Sequence, residues 1–297
     1  MNPKLSVVIP SINGTKSLAD CIVALEQQKH NDEIEIVVCE SFDDAAAQTT
    51  HAQFPNVRFI HFRERKSIPE LRVTGLMNAR GDILALTEDH CIVHEHWVES
   101  VLSAHTSPYL VIGGAVENVA VERLIDWAVF FCEYGRYMLP VVSGATKDLP
   151  GPNVSYKRVV LDDFRGVFTT AVWESFWHSQ LMNAGITLFS DPRLIVYHRK
   201  NFTLRGFLRE RFHYARSFAG ERVKDATWIR RAMYVCGAPL LPPLLLWRIV
   251  TAIWRKHRQR RELILSLPYV FLFTLLWSLG EFIGYVAGQG TSLEKVE

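Results

Sequence analysis

Cysteine is scarce in this chain and never arranged in pairs. Cys21, Cys39, Cys91, Cys132 and Cys236 are scattered, odd in number and free of any Cys-x-x-Cys spacing. That excludes a disulfide framework and the common zinc sites, and fits small buried hydrophobes in a reducing compartment. Charge of one sign is also lacking: 33 Lys and Arg against 31 Asp and Glu leave a net charge of +2. So small an excess argues against a general nucleic-acid binder. No internal repeat and no low-complexity tract is present, which excludes solenoid and fibrous classes. After the first apolar run stands Ser11-Ile-Asn-Gly14 rather than a glycine-rich phosphate loop, which speaks against a nucleotidyltransferase. The first residues run almost at once into a strand and show no signal-peptide architecture.

What the chain does have is unevenly placed apolar residue. The 297 residues are 48% hydrophobic, with a mean hydropathy of +0.06, and the last third carries most of the excess. A soluble-looking α/β part of about 220 residues plus an appendage is the expected division. The front is organised around Ala79-Arg-Gly-Asp-Ile-Leu-Ala-Leu-Thr-Glu-Asp-His-Cys91. It reads as a buried strand, Ile83 to Thr87, ending in Glu88, Asp89 and His90. Two carboxylates and an imidazole can hold a divalent cation such as Mn²⁺ or Mg²⁺. A solvated acidic loop is the plain alternative.

In chain order, Leu5 to Pro10 is a first strand, and Thr15 or Ser17 caps a helix bearing Leu18, Cys21, Ile22 and Leu25. Glu35 to Cys39 is a second strand ending at Glu40, Ser41, Asp43 and Asp44, and Val57 to His61 a third. A helix from about Pro69 to Asn78 leads into the organising strand. Strands and helices alternating in this way indicate a doubly wound, mainly parallel sheet. Parallel strands bring their carboxyl ends, and therefore these acids, to one edge, where ligands bind in open α/β sheets.

The four segments Leu5-Ser-Val-Val-Ile-Pro-Ser11, Glu35-Ile-Val-Val-Cys-Glu40, Arg72-x-x-Gly75 with Ala79-Arg-Gly-Asp82, and Glu88-Asp-His90 together resemble a family 2 glycosyltransferase of the GT-A fold, over roughly residues 4 to 200. The resemblance implies a nucleotide-diphospho-sugar donor, a divalent cation on its pyrophosphate, and inversion at the anomeric carbon. On that basis Pro10, Ser11, Glu40, Arg72, Asp89, Gly151 and Asn153 are the expected donor contacts. Glu40 stands where the family's base-contacting acid would be, and Glu88-Asp89-His90 replaces the family's Asp-x-Asp. Asp89 is expected at the ribose or sugar, and His90, Glu88 and His198 at the metal. Arg72 would meet uracil-side or phosphate oxygens, or else be a surface arginine. Gly151 and Asn153 match a Gly-x-Asn segment lining the donor-sugar pocket; a plain turn is the alternative. Val172 to Gly185 resembles the family's base segment, with Trp173 in place of an acid and Glu174 as the expected general base. Trp173, Phe176 and Trp177 are expected to desolvate its carboxylate. No Gln-x-x-Arg-Trp follows, and one sugar per event is the expectation.

Elsewhere the residues suggest less. His94 and His96 do not share a helix face and read as an exposed pair at the start of a helix. Val111-Ile-Gly-Gly114 reads as a strand ending in glycines suited to close ligand approach. The aromatics between 120 and 140 suit core or membrane-facing packing, with an acceptor-lipid groove as the alternative. Ile186 to Phe189 and Leu194 to Tyr197 read as two strands. From Arg199 to Arg231 the chain is densely basic, fitting anionic lipid or a lipid-phosphate acceptor, and Met233 to Trp254 and Leu263 to Val286 are long enough to span a bilayer.

The expected organisation is a GT-A domain over 1–200, basic amphipathic juxtamembrane helices over 201–232, a membrane-associated helical hairpin or re-entrant segment plus span over 233–288, and a tail over 289–297. The basic linker Arg255 to Arg261 belongs on the cytoplasmic face, as does a domain that uses nucleotide-sugars. A first segment that dips and returns is therefore favoured. Expected partners are the donor, a lipid-linked or other glycolipid acceptor and the membrane, with no nucleic acid. The rival reading is a membrane-anchored nucleotide-sugar binder without catalysis.

Overall fold

A computed structural model describes residues 3–12 and 16–296. The chain forms two compact units, Met1–Val119 with Tyr137–Arg199, and Ala120–Arg136 with Lys200–Glu297. Residues 120–136 thus group with the second unit rather than with the rest of 1–200. The reason is local packing: Ala128 and Val129 are buried with Phe207, Val270 and Phe273.

In the first unit, β1 (Leu5–Ser11), β2 (Ile34–Glu40), β3 (Arg58–His61) and β4 (Ile83–Leu86) lie parallel in the order β3-β2-β1-β4. Beyond β4 the sheet becomes mixed. β8 (Val154–Lys157) runs antiparallel to β4 and to β6 (Val111–Asn118), β9 (Leu188–His198) parallel to β6, and β5 (Cys91–Val93) and β7 (Gly144–Thr146) antiparallel to β9.

Alternation along the strands builds two cores, because successive side chains leave a strand on opposite faces. Leu5, Val7 and Ile9 of β1 join Ile36 and Val38 of β2 under α1 (Lys16–Glu26) and α4 (Trp97–Ala104). Val8, Val37, Cys39, Leu84 and Leu86 face the other way, under α3 (Ile68–Asn78) and α8 (Glu174–Asn183). Each such side chain contributes about 1.5–3 kcal/mol by its removal from water, so the doubly wound expectation is met by near-continuous apolar strands.

Several boundaries differ from expectation. β6 does not stop at its glycines but runs to Asn118 with a register shift at Gly113/Ala115. A Cβ on Gly114 would lie 2.1 Å from the Leu194 carbonyl oxygen, and one on Gly113 2.7 Å from that of Asn153. These glycines therefore admit neighbouring backbone rather than a ligand. β9 is one strand where two were expected, and α4 starts at Trp97, after His94 and His96. The Thr15 cap and part of the 11–14 loop lie outside the described residues, while Ser17 lies within α1.

The second unit contains α5 (Leu124–Glu133), α9 (Leu204–Arg222), α10 (Trp228–Gly237), α11 (Leu241–Trp254) and α12 (Arg260–Ala287). Trp228–Trp254 and Arg260–Ala287 are long and apolar enough to cross a membrane, with mean hydropathies of 1.5 and 1.9. Many of their apolar side chains lie open, including Trp228 at 79%, Met233 at 70% and Trp247 at 62% exposure. A short 3-10 turn at Ala238–Leu240 links α10 to α11, with right-handed backbone from Gly237 to Leu241. Pro242 and Pro243 sit in the first turn of α11, where their missing N–H groups cost nothing. The prolines of this segment thus adjust a helix without reversing the chain. α9 and α12 approach through small residues; a Cβ on Gly280 would lie 2.4 Å from the Phe212 carbonyl oxygen, and one on Gly284 2.6 Å from that of Arg216.

Candidate active site

The site lies entirely in the first unit, where β1 and β4 end. Ser11 closes β1, and its hydroxyl donates to Asp89 Oδ2 at 2.7 Å. Asp89 Oδ1 lies 2.8 Å from His90 Nδ1, and His90 Nε2 lies 3.1 Å from Glu88 Oε2. The other oxygen of Glu88 accepts from Arg72 Nη2 at 2.7 Å. Arg72 Nη1 pairs in turn with Glu174. An unbroken polar chain therefore runs Ser11–Asp89–His90–Glu88–Arg72–Glu174, and His198 meets the His90 ring edge-on at 4.9 Å between centroids.

Local structure sets each member. Ser67 and Glu70 form a reciprocal capping box at the start of α3, fixing the helix whose second turn carries Arg72. Glu174 opens α8, where a carboxylate suits the helix dipole. Gly151 sits against both: a Cβ there would lie 2.9 Å from Glu174 Oε2 and 3.3 Å from Arg72 Nη2. Pro10 lies within β1, whose even-numbered residues point toward β4, as the bond from Thr87 N to the Val8 carbonyl shows. At Pro10 β4 has already ended at Leu86, so the missing N–H breaks no ladder bond.

Burial by itself would raise the Glu88 carboxyl. The hydrogen bond from His90 and the charges of His90, Arg72 and His198 override it and hold Glu88 well below the usual carboxylate range. It is therefore an anion at any physiological pH. The ligand atoms of Glu88, His90 and Cys91 lie within 4.8 Å of one another, a compact set of hard oxygen and imidazole nitrogen that fits a divalent cation. Burial pushes the Cys91 thiol well up, so it stays protonated and the fitting donors are Glu88 and His90.

Three expectations are corrected. Asn153 is wholly buried; its amide donates to the Ala115 and Leu194 carbonyls at 2.8 and 3.0 Å and accepts from Trp97 Nε1 at 2.9 Å. Its amide is thus turned to backbone and indole inside the fold rather than toward the polar chain. Glu40 is also fully buried, with His51 Nε2 at 2.6 Å and His61 Nδ1 at 3.1 Å from one oxygen. It neighbours Ser11 in register; both histidines engage the same oxygen, and the other, Oε2, is buried without a hydrogen-bond partner. Glu174 was expected among aromatic walls, but Trp177 turns into the core and a guanidinium faces the carboxylate. His51 and His61 were missed; the clue was His61 at the end of β3, opposite Glu40.

The glycosyl transferase family 2 model matches residues 6–164, more than half of the chain. The chain belongs to glycosyl transferase family 2. It is 29% identical over 138 residues to an uncharacterised glycosyltransferase, YfnE, of Bacillus subtilis, covering 45% of this chain and 33% of that one. It is 28% identical over 136 residues to polypeptide N-acetylgalactosaminyltransferase 12 of Mus musculus, covering 43% and 23%. Against glycosyltransferase AglE of Haloferax volcanii it is 26% identical over 121 residues, covering 39% and 40%. The matched stretch thus spans only a quarter to two fifths of these curated relatives.

Among solved structures, the mannosyltransferase PcManGT of Pyrobaculum calidifontis, in complex with GDP-Man and Mn²⁺, superposes with a TM-score of 0.60 at 15% identity, covering 97% of this chain and 88% of that one. TarS residues 1–349 of S. aureus gives 0.53 at 11%, covering 96% and 92%. These likenesses establish the GT-A type fold that the strand-end motifs led one to expect.

Proposed function

We propose that this family 2 glycosyltransferase chain moves one sugar per event, with inversion, from a UDP- or GDP-sugar to a membrane-borne acceptor, a polyprenyl-phosphate-linked or other glycolipid, in envelope or exopolysaccharide assembly. It would work at the cytoplasmic face of the plasma membrane, held there by its apolar helices. The observation that carries this reading is the polar chain from Ser11 to Glu174, which joins a cation-type donor set at one end to an arginine-paired carboxylate at the other.

Ser11 orients Asp89, and Asp89 orients His90, leaving Asp89 at the ribose or sugar. Glu88 and His90, with His198 beside them, would hold Mn²⁺ or Mg²⁺. Such an ion, when bound, supplies Lewis-acid stabilisation of the departing diphosphate. Gly151 leaves space against Arg72 and Glu174 where any side chain would intrude. Glu174 takes the acceptor hydroxyl's proton as that oxygen bonds to the anomeric carbon and the sugar–phosphate bond breaks. Arg72 faces the Glu174 carboxylate and orients it. The neighbour solved with GDP-Man and Mn²⁺ supports a donor and a cation of these classes.

The test is nucleoside-diphosphate release from UDP- and GDP-sugars by the full chain in detergent, with Mn²⁺ and with or without membrane lipid extract. Glu174→Gln is expected to lower transfer by about 10²–10⁴-fold with donor affinity within about twofold. Turnover within a few-fold of the parent would remove Glu174 as base. Donor binding with no turnover in any lipid extract would favour the non-catalytic binder.

A further inference from the structure

The second unit holds a buried cation with no carboxylate partner among the described residues. Arg211 of α9 is 7% exposed. Its Nε is buried with no hydrogen-bond partner, and no carboxylate pairs with it among the described residues. Its guanidinium lies 4.2 Å from the Trp277 ring centroid of α12 and 5.8 Å from that of Phe207. The acid on the neighbouring turn of α12, Glu281, is already taken: Arg222 Nη1 lies at 3.3 Å, Trp277 Nε1 donates to it at 2.6 Å, and Tyr285 bonds to it as well. An aromatic face attracts a cation less strongly than burial penalises one, and charges withdrawn from water are ordinarily paired.

We infer that Arg211, backed by Trp277 and Phe207, binds the phosphate of a membrane lipid. The inference rests on the membrane-borne acceptor proposed above and names the group by which that acceptor is gripped. A planar guanidinium suits phosphate oxygens, because two parallel N–H groups can meet two oxygens. The aromatic rings hold the guanidinium by its face and leave at least Nε without a hydrogen-bond partner. A lipid is the fitting carrier, since the same unit bears the two apolar helices with open Trp, Met and Phe side chains. Glu281 with Arg222 shows the opposite arrangement one step away, a buried charge fully supplied from within the fold. The same phosphate chemistry is offered by an acceptor of the prenyl phosphate type and by a bulk anionic phospholipid.

The test uses the full chain in phosphatidylcholine nanodiscs and titrates farnesyl phosphate, with farnesol and inorganic phosphate as controls and phosphatidylglycerol as competitor. Farnesyl phosphate is expected to bind saturably and farnesol not to bind. Arg211→Met is expected to weaken farnesyl phosphate at least tenfold, about 1.4 kcal/mol. Displacement by phosphatidylglycerol would assign the site to a structural phospholipid, and resistance to it would assign the acceptor; either supports a lipid phosphate. Unchanged binding in Arg211→Met, or equal binding of farnesol or of inorganic phosphate alone, overturns the inference. Thermal unfolding without added lipid phosphate gives a second readout. Loss of an uncompensated buried charge should hold or raise the midpoint, whereas a variant that melts several degrees lower or fails to fold would show Arg211 to be structural. Nucleotide-sugar binding by the parent is measured alongside. Its absence counts against the transferase reading, and its presence without phosphate binding counts against this inference alone.

Discussion

Arg72 and Arg211 are both buried, at 2% and 7% exposure, and the fold treats them in opposite ways. Arg72 bridges two carboxylates, Glu88 and Glu174, supplied by segments far apart in sequence. Arg211 meets aromatic faces and no carboxylate among the described residues. The difference teaches where each arginine finds its counter-charge. That of Arg72 comes from within the fold, as a preorganised row of charges. That of Arg211 is, on the inference above, supplied by a ligand, although its neighbour Glu281 in the same unit is paired internally with Arg222.

The sharpest way to break that comparison is to make the same substitution at both arginines. Arg72→Met strands two buried carboxylates, which should destabilise the chain by about 3–5 kcal/mol, while Arg211→Met should leave its midpoint level or higher. Adding Glu174→Gln to Arg72→Met removes one stranded charge and should recover part of the loss. Chemical denaturation of the detergent-solubilised parent and these three variants measures both. If Arg72→Met and Arg211→Met shift stability alike, the contrast between the two arginines has no energetic content.

Much of the first unit could be read in advance because the reading rested on local regularities. Near-continuous apolar strands gave the parallel half of the sheet, and abrupt acidic strand ends gave Glu88, Asp89 and His90. Glu174 was legible as a carboxylate heading a helix. That Arg72 faces it was not, because the partners lie on different helices and no local pattern links them. Asn153 misled for a related reason. A Gly-x-Asn turn looks the same whether its amide points at a sugar or, as here, at carbonyls 38 and 41 residues away and an indole 56 residues away. Arg211 was hidden among ten basic residues, since sequence shows charge but not which charges are denied a partner.

Acid adds unpaired cations to the first unit and so asks the same question by titration. Burial pushes His105 and His178 from an ordinary value of 6.5 down to about 4. Each has one ring nitrogen bonded, to Ser155 Oγ at 2.8 Å and to the Tyr156 hydroxyl at 2.9 Å, and its Nδ1 buried without a hydrogen-bond partner. The unfolded chain therefore takes up protons between pH 6.5 and 4 that the folded chain refuses. Stability should be full above pH 6.5, fall through that window, and level off for this cause below 4. A drop from 6.5 to about 4 corresponds to about 3 kcal/mol per histidine at 1.36 kcal/mol per pH unit. His178→Gln should flatten the pH dependence of unfolding by roughly one histidine's share; an unaltered slope would show that some other group titrates there.

The smallest expected effect sharpens the comparison by removing charge from it. Asn153 is neutral, wholly buried and bonded at every turn to Trp97, Ala115 and Leu194, so it obeys the rule of internal supply that Arg72 obeys. Asn153→Ala leaves the Trp97 indole N–H without its acceptor and two carbonyls without a donor, and should cost about 2 kcal/mol, within the range for an unsatisfied buried group. Because the amide points away from the polar chain, the KM for the donor should stay within about twofold once the protein is assayed below its lowered unfolding midpoint; loss of one hydrogen bond to a sugar would instead weaken donor affinity by about tenfold, since 1.4 kcal/mol is a factor of ten. A raised donor KM with an unchanged midpoint would return Asn153 to the sugar pocket, and would mean that the turn carrying Gly151 moves when the donor arrives.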